Sequence, residues 1–281
     1  MTAISAAAQT KDVHMLNTKT SIREPAVAGM FYPDDPDVLR EQVSALLRAA
    51  PTAGLPPKAV IVPHAGYIYS GPIAASAYAR IAKARTTVRR VVLLGPAHRV
   101  AFNGIAASSA KAFTTPLGSV SVDQNAWRLI EDLPQVRVFD LAHAAEHSLE
   151  VQLPFLQLAL DTFSLVPLVV GDATPEEVDE VLERLWGGAE TLIVISSDLS
   201  HYHDYDSARH LDQATSRAIE ALREQDIGYE DACGRIPVNG LLQCARHHGL
   251  HARTVDLRNS GDTAGSRDRV VGYGAYVFEQ A

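Results

Sequence analysis

The sequence predicts a single α/β domain with a mainly parallel central sheet flanked by helices. Three observations carry this reading. Four short runs, Lys58-Ala-Val-Ile-Val-Pro63, Arg90-Val-Val-Leu-Leu-Gly95, Ser164-Leu-Val-Pro-Leu-Val-Val170 and Thr191-Leu-Ile-Val-Ile-Ser196, are apolar without alternation, as strands covered on both faces are. Helical stretches separate them, and strands alternating with helices build parallel sheets. The 281 residues are 47% apolar and 21% charged. That is ordinary for a globular chain near the upper size of one hydrophobic core, and no break in composition divides it.

Residues 1–21 are small, polar and unpatterned and read as a flexible N-terminal arm, with the folded domain over 22–281. Asp35 caps a first helix and Pro36 occupies its first position. Val38, Leu39, Val43, Leu46 and Leu47 recur there at helical spacing, and Pro51, Gly54, Pro56 and Pro57 end it. After the first strand, His64-Ala-Gly-Tyr-Ile-Tyr-Ser-Gly-Pro72 passes two glycines before a helix predicted over 72–84. Ala145-Glu-His-Ser-Leu-Glu-Val-Gln-Leu-Pro-Phe155 opens another, with Leu149, Leu153 and Leu156 on its buried side. The third strand leads to a helix capped by Thr174, with Pro175 first and Glu177 at the capping-box position. A long helix over 206–224 follows the fourth. Two more strands lie within 253–278, around the loop Ser260-Gly-Asp-Thr-Ala-Gly265.

Composition excludes several functions. A net charge of −8 leaves no electrostatic footprint for nucleic acid or for an anionic membrane surface. No run approaches the roughly 18 apolar residues of a membrane span, and the start lacks a signal-peptide pattern. The only two cysteines, Cys233 and Cys244, make no disulfide framework. A reducing cytoplasmic setting is expected. No Gly-Lys-Ser/Thr closes the glycine loop, and no G-x-G-x-x-G follows a strand, so neither a P-loop nor a dinucleotide site is expected.

Three of the four strands run into a histidine: Val60-Ile-Val-Pro-His64, Val91-Val-Leu-Leu-Gly-Pro-Ala-His98 and Ile193-Val-Ile-Ser-Ser-Asp-Leu-Ser-His201. Parallel strands bring their carboxyl ends to one edge, where open α/β sheets bind ligands. His64, His98 and His201 therefore converge, and convergent neutral imidazoles suit zinc, copper or iron. Asp198, Cys233, Glu146 and His147 are the candidates for a third ligand and a proton-transfer group. Cys233 stands at a turn between glycine and proline breakers, whereas Cys244 sits in an apolar helical context and reads as core. His203, His247, His248 and His251 read as surface residues.

Taken together, Glu24-Pro-Ala-Val-Ala-Gly-Met-Phe-Tyr-Pro33, Pro63-His-Ala-Gly-Tyr67, Leu94-Gly-Pro-Ala-His98, Glu146-His-Ser-Leu-Glu150, Ser196-Ser-Asp-Leu-Ser-His201 and Cys233-Gly-Arg235 resemble the Memo family, from about residue 22 to the C-terminus. The resemblance implies a fold related to the class III extradiol dioxygenases and, in bacteria and archaea, a place in the AmmeMemoRadiSam system beside a radical-SAM protein and an AMMECR-type protein. It carries metal ligation onto His64, His98 and Cys233, and an acid/base role onto His201 with Asp198 close by. Glu146 and His147 would surround the ligands and orient them. The dioxygenases use a carboxylate where this pattern has Cys233. A softer thiolate turns the expectation from catechol cleavage toward iron or copper redox chemistry. Two alternatives accompany that reading. One is a non-catalytic module that binds a peptide or partner in the same pocket, and the other is zinc-assisted hydrolysis.

Overall fold

A computed structural model describes residues 22–280 of the protein, so the arm expected over 1–21 lies outside the described residues. Strands β1 (Ile22–Arg23), β2 (Ala59–Val62), β3 (Arg90–Pro96), β4 (Ile105–Ala107), β5 (Ala112–Thr115), β6 (Gly118–Ser121), β7 (Val136–Val138), β8 (Ser164–Val170), β9 (Thr191–Ser196), β10 (His201–His203), β11 (Leu250–Asn259) and β12 (Val270–Gln280) are interspersed with helices. These are α1 (Pro36–Ala49), α2 (Tyr67–Ile81), α3 (Gln124–Trp127), α4 (Asp140–Ala144), α5 (Leu153–Ala159), α6 (Pro175–Leu185), α7 (Tyr205–Glu220) and α8 (Arg235–His247). Nine strands form the main sheet, in the order β10-β12-β2-β9-β3-β8-β4-β7 with β11 on β12, and β1-β5-β6 make a small separate sheet.

The sheet is mixed, which corrects the expectation of a mainly parallel one. The four apolar runs do form a parallel centre, β2-β9-β3-β8. Helical crossovers through α2 and α6 impose that direction. Outside the centre, β12 folds back on β11 and docks antiparallel on β2, β10 adds antiparallel to β12, and β4 runs antiparallel to β8. Only a short loop with no crossover helix joins β11 to β12, so the chain reverses there.

Period-two alternation then sorts each central strand between two cores. Val60, Val62, Val91, Leu93 and Val194 face the core shared with α1, α2 and α5. Ile61, Val92, Leu94, Ile193 and Ile195 face the core shared with α6 and α8. A run apolar at every position is what two covered faces require.

Asp35 accepts from the backbone N–H groups of Asp37 and Val38, and Thr174 and Glu177 complete a capping box. Helix α2 starts five residues earlier than predicted, at Tyr67, and carries Pro72 inside it. The hydrogen bond that Pro72 cannot donate falls opposite Ile68, in the first turn of the helix. The helix expected to open at Ala145 becomes regular only at Leu153, because the Glu146 carboxylate takes the backbone N–H groups of His147 and Ser148. Among the described residues no helix is long and apolar enough to cross a membrane.

One buried histidine on α4 couples the fold to pH. His143 Nε2 donates to the Ala106 carbonyl at 2.9 Å, and its ring edge meets Phe113 at 5.8 Å between centroids. Burial holds the imidazole down at about 4, against the smaller opposing pull of the Ala106 carbonyl and Asp140. A folded value below the unfolded one means stability that is complete above about pH 6.5 and is lost as pH falls toward 4, up to about 3 kcal/mol. Urea unfolding at pH 7 and pH 4.5 should show a smaller acid loss in His143→Gln than in the unsubstituted protein. An equal loss would refute the assignment.

Candidate metal centre

The parallel register β2-β9-β3 pairs Val62 with Ser196 and Leu94 with Ile195. The strand ends therefore stand side by side, and the segments that follow them carry His64, His98, Asp198 and His201. All four line one cavity of about 620 Å³, together with His147. One ring nitrogen from each of His64, His98 and His147 lies within 4.8 Å of the other two. The rings are packed against one another: His98 stacks on His147 at 4.7 Å, and both present edges to His64, at 5.1 and 5.4 Å.

Hydrogen bonding decides which nitrogen of each ring is free. His64 Nδ1 is 3.0 Å from Ser196 Oγ. The single Ser196 hydroxyl hydrogen goes to the Ser148 carbonyl at 2.6 Å, and Ser196 Oγ also accepts from Gln152 Nε2 at 2.8 Å. That amide's orientation is set by donation to the Pro63 carbonyl and by Tyr78 donating to Gln152 Oε1. Ser196 thus has no hydrogen left for His64, so His64 Nδ1 must be the donor and Nε2 carries the lone pair. His98 Nδ1 faces a carboxylate, Glu146 Oε1, at 3.0 Å, and His201 Nδ1 faces the Leu199 carbonyl at 2.7 Å. Each of these acceptors fixes a proton on Nδ1, so that the lone pair of the neutral ring lies on Nε2. Ligating histidines are held in just this way, through the opposite nitrogen.

Charge follows the same logic. Burial presses His64 well below the usual histidine range, lowers His147 to about 4 and lowers His201, so these imidazoles stay neutral at physiological pH. Glu146 is also buried, which by itself would raise its carboxyl. Donors from the His98 ring and backbone and from the Ser148 backbone nevertheless bring it to about 2. It therefore stays ionised under His98, while His147 Nδ1 stands 3.2 Å from Oε1 without the alignment of a hydrogen bond. ¹⁵N-detected spectra at neutral pH should report Nδ1–H tautomers for His64 and His201. In Ser196→Ala the His64 signal alone should lose its fixed tautomer. An Nε2–H tautomer for His64 in the unsubstituted protein would overturn the network.

Cys233 comes in from the turn before α8. Its Sγ lies 3.3 Å from His64 Nε2, and its backbone N–H donates to the Asp198 carbonyl. Gly234 makes that approach feasible, since a Cβ there would fall 2.8 Å from the Ser197 side chain and 2.9 Å from the Ser196 carbonyl. Cys233 is not part of the three-imidazole set, and it lines an adjoining cavity of about 470 Å³. Burial, then the nearby Asp198 carboxyl, push its thiol up to about 12. Asp198 Oδ1 accepts the His64 backbone N–H at 2.7 Å, and burial raises its carboxyl to about 7.

The site's walls were only partly legible in the sequence. Glu150, fully buried, accepts from the backbone N–H groups of Ala26 and Val27 and the Tyr32 hydroxyl, and pairs with Arg23. This docks residues 23–32 beside the cavity, where Phe31 meets His147 at 4.8 Å. A glutamate within the apolar run 149–156 was the available signal. Ser196 and Gln152 gave none, because their role depends on contacts between distant segments. On the far wall, Tyr202 holds a left-handed φ of 64°, a conformation costing a bulky residue about 1–2 kcal/mol. The Arg269 guanidinium lies 5.0 Å from its ring.

The whole site sits in a chain with many relatives. A family model described as "Memo-like protein" matches residues 23–277. A "MEMO1 family protein" of Aquifex aeolicus (strain VF5) is 39% identical over 269 residues, covering 92% of this chain and 99% of the relative. Another from Metallosphaera sedula is 35% identical over 287 residues, covering 91% and 99%. Among solved structures, an uncharacterized protein from Escherichia coli K12 aligns over 76% of this chain and 98% of its own, at 14% identity and a TM-score of 0.47.

Proposed function

The chain belongs to the Memo family, and from the site it carries we propose a metal-dependent redox enzyme, dioxygenase-like, with iron or copper as its metal. The observation that supports this is the set of imidazole nitrogens within 4.8 Å of one another, two of them with the opposite nitrogen already donating to protein groups. His64 and His98 would hold the metal with Cys233, whose thiol would lose its proton to become the soft donor, and His147 stands within ligand reach. Imidazole and thiolate together suit iron and copper, with zinc as the alternative. The metal would supply one-electron chemistry toward a reducible co-substrate.

The protein groups would do the rest. Glu146 and Ser196 keep the His98 and His64 lone pairs turned inward. His201, neutral and with Nε2 free, takes a proton from the substrate. Asp198, held near 7, exchanges a proton close to neutral pH. Arg99 and Arg269 line the same cavity and have no carboxylate partner among the described residues. In a chain of net charge −8, that local positive pair favours an anionic substrate.

Metal content by mass spectrometry on untagged protein, purified anaerobically without chelator, tests the proposal. Near-stoichiometric iron or copper that falls in Cys233→Ser, together with oxygen uptake by the loaded protein, is the expected result. Failure to take up iron, copper or zinc on titration would reject it in favour of a partner-binding pocket.

A further inference from the structure

The seam between α6 and α8 gathers a second group of metal-ligating side chains, remote from the first. Helix α6 presents Asp179 and Glu183 one turn apart. Helix α8 presents Cys244 and, at its C-cap, His248 at the same spacing, with His247 between them. Residues four apart share a helix face, so two facing stripes of donors meet. Cys244 is fully buried. Its thiol donates to Glu183 Oε1 at 3.3 Å, while His248 Nε2 donates to Glu183 Oε2 at 3.0 Å. Ligand atoms of Glu183, Cys244 and His248 all lie within 4.8 Å of one another, and so do those of Asp179, Glu183 and His247. Trp186 stacks on His248 at 3.9 Å and 9°, fixing the ring's plane. Asp179 Oδ1 is buried without a hydrogen bond, and the nearest imidazole nitrogen, His247 Nδ1, stands off at 3.6 Å.

We infer that this seam is a structural transition-metal site that takes Zn²⁺ through Cys244 Sγ, His248 Nε2 and the Glu183 carboxylate, with Asp179 as the adjoining oxygen donor. Zinc bonds of about 2.0–2.3 Å in a tetrahedron put ligand atoms about 3.3–3.8 Å apart, close to the spacings already present. Two protons now point at Glu183, one from the thiol and one from the imidazole. Zinc takes the place of both: the thiol proton is released to solvent, and the imidazole binds through Nε2 with its hydrogen on Nδ1. The Asp179 oxygen gains the partner it lacks. Lys58, the nearby cation, is tied up by the Trp186, Gly188 and Thr191 carbonyls. Nine residues of helical rise, from Arg235 to Cys244, put Cys244 about 14 Å from the turn that carries Cys233, so the two sites are separate. A bound ion would clamp α6 to α8 across the second core.

Zinc titration of the reduced full-length protein, read by equilibrium dialysis and mass spectrometry, tests this. Glu183→Gln/His248→Gln alters only partly exposed side chains and should bind one equivalent fewer than the unsubstituted protein, whatever the first site takes. Zinc should also raise the melting temperature of the unsubstituted protein more than that of the double variant. Cobalt titration identifies the sulfur: the thiolate charge-transfer band should persist in Cys233→Ser and shrink in Cys244→Ala. Equal zinc stoichiometry in the double variant, or a cobalt band that depends on Cys233 alone, would overturn the inference and leave Glu183 as a plain hydrogen-bond acceptor.

Discussion

Replacing His64 by alanine is expected to abolish tight metal binding at the cavity while the chain remains folded. The ring supplies the nitrogen nearest Cys233, at 3.3 Å from its sulfur, and it belongs to the mutually close set. Losing a group that only orients a ligand typically costs 10–100-fold in affinity. Losing the ligand itself should cost more. The fold has reason to survive. The bond from residue 64 to Asp198 Oδ1 is donated by the backbone and persists in the variant. Ser196 still donates to the Ser148 carbonyl and still accepts from Gln152. What remains is a cavity penalty of about 2–4 kcal/mol, within the stability of an ordinary domain. Calorimetric titration with the metal, beside far-UV circular dichroism, reads both halves. Undiminished occupancy in a folded variant would sink the ligand assignment.

Glu150→Ala is expected to destabilise the protein by about 3–5 kcal/mol, because it strands the buried Arg23 guanidinium. Arg23 would keep its bonds to the His143 and Glu146 carbonyls but lose the carboxylate it pairs with. Ala26, Val27 and Tyr32 would lose their acceptor at the same time. The segment they belong to leads to Phe31, whose carbonyl accepts the first N–H of α2. The loss should therefore reach the histidine-lined cavity. Glu150→Gln keeps the volume and one acceptor oxygen and should cost less. Urea midpoints of the two variants give the comparison, and a loss under about 1 kcal/mol in Glu150→Ala would show that the pair does not hold the segment.

Local pattern made part of this molecule readable. A strand covered on both faces must be apolar at every position, so residues 59–62, 90–96, 164–170 and 191–196 announced themselves. Their parallel order by itself puts His64, His98, Asp198 and His201 at one edge. Helix caps such as Asp35 and Thr174 are equally local, since the capping oxygen and its N–H partners lie within three residues.

Partners far apart in sequence were decided only by the tertiary structure. The antiparallel margins of the sheet depend on where β12 and β4 dock, and short strands such as 105–107 carry too few residues to show a period. The ring of His147 stacks on His98 because Glu146 bends the chain there and prevents a regular helix from starting. Ser196 shapes the site only through His64, Ser148 and Gln152, up to 132 residues away. The pairing of α6 with α8 likewise turned a core cysteine and two surface histidines into neighbours of one carboxylate. By itself the sequence determined the parallel centre of the sheet and the strand ends that meet at the cavity, since each follows from residues in contact along the chain. The folded chain alone decided the free nitrogens, the neutral imidazoles and the second donor cluster, because hydrogen bonding and burial depend on what packs across the fold.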